Sequence, residues 1–174
     1  MVTNAYFCKL CFQLIIFMRP VFPCTYFPSV EYFACLIRFP EAEIECMDTY
    51  HRQTFRNRCH IYGPNGLQKL VVPVIHPAKT ENKVRDIRID SLNNWKKIHW
   101  RSLTTAYNKS PFFEYYAPEL EPVLFGSTNG LTGLNMELMH LCLRWLHSKT
   151  QLVLTTEYQK SLPAGLDFRT ALLS

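Results

Sequence analysis

Apolar positions change their spacing several times along this chain, and each change marks an element. Residues 20–26, PVFPCTY, form a short apolar run that predicts a buried strand leading into a loop at Pro28. In SVEYFACLIRF (29–39), Ser29 is placed to cap a helix, with Val30, Phe33, Ala34 and Ile37 on one face. AEIEC (42–46) predicts a second strand. Strand, loop, helix and strand in that order open a βαβ unit, so a parallel sheet is expected.

The period then shortens to two. In TFRNRCHIY (54–62), Phe55, Asn57, Cys59 and Ile61 alternate with Arg56, Arg58 and His60, which predicts a strand with one cationic face. Gly63-Pro64-Asn65-Gly66 is a turn, and LQKLVVPVI (67–75) completes a β-hairpin, with Pro73 marking an edge or bulge. DIRID (86–90) predicts a short strand. Residues 93–107 predict a helix with Trp95, Ile98, His99, Ser102, Leu103 and Ala106 facing inward. Ser110 and Pro111 suit the start of another helix, which Pro118 or Pro122 should end. Leu131, Leu134, Leu138, Leu141 and Trp145 form the core stripe of a helix over 131–147, and Gln151–Thr155 reads as a last strand. The expectation is an α/β protein: one domain with a mixed or mainly parallel sheet, a β-hairpin near 54–75 and flanking helices.

Composition narrows this picture. The 174 residues are 48% hydrophobic and 14% aromatic, enough to build a core and argue against disorder. A net charge of +5 without a Lys/Arg block disfavours nucleic acid and accommodates a small anionic substrate. Seven scattered cysteines read as reduced thiols of the cytoplasm rather than a disulfide framework. Cys8 and Cys11 form a lone C-x-x-C without the second pair that zinc requires, so no metal site is expected. Residues 1–17 are apolar, but Lys9 and Gln13 interrupt the run before it reaches the ~20 residues of a membrane span. They read as an extension before a domain over 18–174.

Candidate chemistry concentrates between Tyr50 and Tyr116. Arg56 and Arg58, with Arg52 nearby, suit bidentate recognition of phosphate or carboxylate. Trp100 or Tyr107 could stack on a ring. His51 and His60 are general-base candidates and Asp48 a weaker one. His99 is also a candidate, although its place on the apolar face suits a hydrogen-bonded core histidine better. The loop around Tyr26 and Pro28 should lie at a strand's carboxyl end, where open α/β sheets bind ligands. No Walker loop, G-x-G-x-x-G, G-x-S-x-G or H-E-x-x-H is present, and no cofactor can be named.

Three words of the sequence together resemble the WbqC-like protein family: YFPSVEYF (26–33), YHRQTFRNRC (50–59) with the following G-x-N-G and LVVPV, and the W-x-x-x-H-W-R-S…A-Y-N-K-S-P-F-F-E-Y-Y pattern of 95–116. The resemblance runs over roughly residues 19–169. It implies a protein of O-antigen or other bacterial surface-polysaccharide biosynthesis, with glycyl or acyl transfer to an activated sugar as the suggested reaction. Within the matching words, Tyr50, Gln53, Asn57, Arg101, Asn108 and Lys109 join the binding candidates. Against the family pattern, residues 1–17 look additional and the chain stops five residues after Arg169, so a C-terminally truncated domain is expected. The alternatives are a non-catalytic partner of polysaccharide biosynthesis enzymes, docking through Phe112, Phe113, Tyr115 and Tyr116, or a non-functional truncated copy.

Overall fold

The computed structural model describes residues 19–75 and 82–172. The Cys8–Cys11 pair and the expected extension lie outside the described residues. Strand β1 (Val21–Pro23) is wholly buried, as a strand covered on both faces must be. Helix α1 (Val30–Leu36) crosses over to strand β2 (Glu41–Glu45), which pairs parallel to β1 with Phe22 opposite Ile44. Far along the chain, strand β7 (Gln151–Leu154) pairs parallel to the other edge of β2, giving the order β1-β2-β7. Residues near Asp167 run parallel to the free edge of β1, joined by Val21 N–H to Leu166 O and Phe168 N–H to Val21 O.

Ser29 caps α1 as expected, its Oγ accepting from the Tyr32 amide. The buried face differs. Tyr32, Phe33 and Leu36 point inward, whereas Val30 is 87% exposed. The helix lasts only two turns, and the hydroxyl of Tyr32 donates to Pro23 O, which rotates the tyrosine side onto β1.

The hairpin comprises β3 (Arg58–Gly63) and β4 (Gly66–Val71), antiparallel with His60 opposite Lys69. Gly66 holds φ at +100°, a conformation that any side chain would strain. The strand starts four residues later than the alternation suggests, so Arg56 does not share a face with Arg58 and His60. Pro73 ends the ladder. Beyond it β5 (Val74–Ile75) pairs instead with β6 (Arg88–Ile89), which follows a 3₁₀ turn at Val84–Asp86.

Helix α2 (Trp95–Tyr107) packs on β3 through Trp95, His99 and Leu103, leaving Ile98 exposed. Helix α3 (Phe113–Phe125) begins after Ser110 and Pro111 without a side-chain cap and runs through both Pro118 and Pro122. Helix α4 (Leu131–Trp145) is the centre of the molecule. One side supplies Leu131, Leu134, Leu138 and Leu141 to a core shared with α2, α3 and the hairpin. Another side supplies Met139 and Leu143 to a second core under the parallel sheet and α1. A helix with apolar sides facing two cores is central, not a surface stripe.

Candidate functional site

The site grows from the carboxyl ends of β1 and β2. After β2 the chain carries Asp48, Thr49 and Tyr50, held by Thr49 bridging Lys83, Val84 N–H to Asp48 O (3.0 Å) and Tyr50 N–H to Asn82 O (2.7 Å). It then turns at Gln53, whose φ is +64°, and threads back through the core as Phe55-Arg56-Asn57. Three buried partners grip this segment. Tyr26 N–H donates to Phe55 O at 2.9 Å, Asn135 Nδ2 donates to Arg56 O at 2.9 Å, and Asn57 Nδ2 donates to Val72 O at 2.9 Å. Hydrogen bonds of this kind fix the segment's position rather than leaving it to solvent.

Three guanidiniums collect here around one phenol. The Tyr50 hydroxyl is pushed up by burial and pulled down by Arg58, Arg56 and Arg52, in that order. Arg56 is only 3% exposed and donates to Asp48, forming an ion pair within the protein. Arg52 is exposed and Arg58 half-buried, and neither has a carboxylate within ion-pair distance among the described residues. The Arg58 Nε is buried without a hydrogen-bond partner. Three cations against one carboxylate leave an uncompensated positive centre, suited to phosphate or carboxylate. His51 and Gln53 are exposed at the turn beside it.

Next to this centre is a cleft of about 580 Å³, within the range of small-molecule sites. Its walls come from the loop after β1, the start of α1, Phe55, β3, the end of α2 and Ala171-Leu172. Tyr26, Phe27, Tyr32, Phe55 and Tyr107 supply aromatic surface, and Thr25, Ser29, Glu31 and His60 are its polar side chains. Phe27 sits at φ +44°, a costly conformation for an aromatic residue and of the kind that collects at ligand sites. Exposed His60 has its ring edge-on to Phe55 at 5.6 Å. Cys59 also lines the cleft, but burial pushes its thiol up to about 12, so it is not a thiolate nucleophile near neutral pH.

His99 lies beneath this wall. Its Nε2 is 3.2 Å from Val71 O and its Nδ1 is 2.8 Å from the Tyr26 hydroxyl. A carbonyl can only accept, so Nε2 carries the hydrogen and Nδ1 accepts from Tyr26. Burial lowers the imidazole from 6.5 to about 4, which keeps it neutral. Both nitrogens are occupied within the protein, so His99 reaches a ligand only through Tyr26.

The remaining sequence candidates are distributed differently. Trp100 is half-buried against Phe113 and Phe125 of α3, at 6.3 and 6.4 Å, and does not line the cleft. Tyr107 does. Arg101, Asn108 and Lys109 are exposed on and after α2. Thr25, Phe27 and Phe55 were not candidates from the sequence. Their only signal is proximity to Tyr26 and Arg56, because a fold contact rather than a motif brings them together. Among the described residues, no group of three or more His, Cys, Asp or Glu is arranged to hold a metal ion, and no helix is long and apolar enough to cross a membrane.

Comparison with known proteins agrees with the words that shape this site. The chain is 30% identical over 135 residues to the uncharacterized protein Rv1507c of Mycobacterium tuberculosis, a match covering 77% of this chain and 58% of that protein. It therefore spans under two thirds of that relative's length. No solved structure matches it. Residues 24–169 match the pattern of the WbqC-like protein family, an interval holding the cationic centre and the cleft's lining residues other than Ala171 and Leu172. The chain belongs to the WbqC-like protein family.

Proposed function

We propose that this protein is a cytoplasmic transferase that moves a glycyl, acyl or related group onto an activated sugar during O-antigen or surface-polysaccharide assembly. The observation that carries the reading is the uncompensated cationic centre of Arg52, Arg56 and Arg58 around Tyr50, beside an aromatic cleft. An activated sugar has the same two-part chemistry: an anionic phosphate and an uncharged ring. Arg52 and Arg58 would hold the anion, while Arg56, already paired with Asp48, would keep the cluster in place. Tyr107 and Phe55 would face the ring. His60 lines the cleft and is the preferred base. It would take the proton from the acceptor amine or hydroxyl as that atom bonds to the acyl carbon. The bond from the acyl carbon to its leaving group breaks, and that group departs with the bonding electrons.

A second reading has its own observation. Phe112, Tyr115 and Tyr116 are 63%, 73% and 40% exposed at the start of α3, which suits a non-catalytic docking surface on a biosynthetic partner. Arg58→Gln separates the two. For the transferase it weakens binding of nucleotide sugars by about tenfold or more, the usual scale for losing a charged hydrogen bond, while leaving the thermal midpoint without ligand unchanged. Equal binding by wild type and variant, or no response of the wild type to nucleotide sugars, acyl phosphates or acyl adenylates, removes the transferase reading.

A further inference from the structure

The cleft and the cationic centre differ in chemistry, and the difference specifies what each can take. Among the described residues, none that lines the cleft is a lysine or arginine, and the one carboxylate there, Glu31, would repel an anion. A phosphate placed in this aromatic space would lose water without gaining a counter-charge, which is unfavourable. The cleft therefore selects an uncharged group.

Its wall also contains an unanswered polar group. Thr25 is 2% exposed, and its Oγ1 is buried with no hydrogen-bond partner. Six buried side-chain polar atoms lack partners among the described residues, and Thr25 is the one of those residues that lines the cleft. Buried hydroxyls are nearly always paired, and leaving one unpaired is costly. The adjoining backbone gives no relief, because the Tyr26 amide is already spent on Phe55 O. A ligand in the cleft that brings a hydroxyl or amide against Thr25 would supply the missing partner.

We infer that the cleft is a specificity pocket for an uncharged ring bearing a hydroxyl or amide group, which hydrogen-bonds the Thr25 hydroxyl while Phe55 and Tyr107 cover the ring. This rests on the proposed function only in treating the cleft as the ring end of the substrate, with the arginines holding its phosphate. A sugar ring and a nucleoside share this chemistry. In either case Thr25 is a specificity determinant, distinguishing a ring with the inner polar group from one without it. Sites that hydrogen-bond a substrate group reject analogues lacking it far more strongly than apolar pockets reject a missing methylene.

The test uses the full chain and four uncharged probes: uridine, adenosine, methyl α-glucoside and methyl N-acetyl-α-glucosaminide. Their phosphorylated counterparts, among them uridine diphosphate and glucose 1-phosphate, run in parallel. Calorimetric titration is made on wild type, Thr25→Val, Thr25→Ser and Arg58→Gln. The inference expects at least one uncharged probe to bind wild type and Thr25→Ser alike, to bind Thr25→Val about tenfold more weakly, and to be indifferent to Arg58→Gln. The nucleoside and glycoside arms identify which ring is held. An uncharged probe that binds Thr25→Val as well as wild type overturns the inference, as does a panel in which only phosphorylated probes bind. So does a lower thermal midpoint for ligand-free Thr25→Val, because an isosteric valine should not destabilise a protein whose hydroxyl has no internal partner. Phosphorylated probes that bind Arg58→Gln as tightly as wild type would sink the arginine reading and leave this one standing.

Discussion

His99 shows how a single side chain can look catalytic in sequence and serve the fold. Its position among Trp95, Ser102 and Leu103 marks it as core, and the structure adds the reason it stays neutral: burial, with a carbonyl on one nitrogen and a phenol on the other. With 6.5 for the unfolded chain and about 4 for the folded protein, the unfolded chain binds a proton between those values that the folded protein does not. Stability from this group is full above the unfolded value, falls as pH drops toward 4 and changes no further below it. A shift of that size corresponds to about 3 kcal/mol. His99→Gln keeps a donor and an acceptor but cannot titrate. Urea unfolding should show wild type ahead of the variant at pH 7.5, with the gap shrinking by about 3 kcal/mol by pH 4. A gap constant over that range would show that His99 does not titrate as argued. Arg56 is the opposite case. Alternation put it on one cationic face with Arg58 and His60, whereas it is buried against Asp48 ahead of the strand. Period two holds only inside a ladder, and nothing local says where a ladder begins.

At the scale of elements, helix α3 departs most from local rules. Pro118 and Pro122 should each stop a helix, yet thirteen residues stay helical. The missing donors would have served the carbonyls of Glu114 and Pro118. Glu114, Pro118 and Pro122 are all exposed, so water can reach that side, while Leu120 and Leu124 are buried on the other. Packing of the apolar side decides the outcome. Pro118→Ala should restore one backbone bond and raise stability by about 1 to 2 kcal/mol, after allowing for the freer unfolded chain. Its check is a higher urea midpoint with unchanged far-ultraviolet dichroism; a lower midpoint would mean the proline fits without strain. The hairpin was far more legible, because Gly66 must adopt φ +100° and Pro73 cannot donate, and both facts are local. Helix α1 was legible in its start at Ser29 but not in its length or facing: it ends at Leu36 rather than Phe39, two turns leave several faces open, and Tyr32's bond to β1 selects one.

Over the whole molecule, the chain's last described segment is tied to the sheet through Arg169. Its guanidinium donates to Asp167 at 2.8 and 2.7 Å and to Gln159 O at 2.7 Å, and reaches Glu45 at 3.4 Å. Glu45 is 3% exposed at the end of β2, where it also accepts from the Met47 amide and Thr155. Arg169 thereby joins residues beyond β7 to the central strand. Arg169→Met would leave Glu45 buried without its cation, a loss on the order of 3–5 kcal/mol. Adding Glu45→Gln should recover part of it, and a double variant no more stable than Arg169→Met would show that the two groups are not coupled. Thermal unfolding of the three variants measures this directly.

The sequence by itself determined the alternation of strand and helix, the hairpin with its turn, the apolar stripe of α4 and the family, because each depends on local period, turn chemistry or words that agree in order. It also drew attention to the arginines around Tyr50, which the structure brings together. Only the tertiary structure decided that Arg56 is buried against Asp48 while Arg52 and Arg58 have no ion-pair partner among the described residues, that Trp100 packs on α3 while Tyr107 lines a cleft, and that Thr25 and Phe55 share its wall. Those outcomes depend on which residues meet between separate elements, through bonds such as Tyr26 to Phe55 and Asn135 to Arg56. Local spacing carries no record of such long-range contacts. The physical reason is that burial and pairing are properties of the packed core, and periodicity is a property of one element at a time.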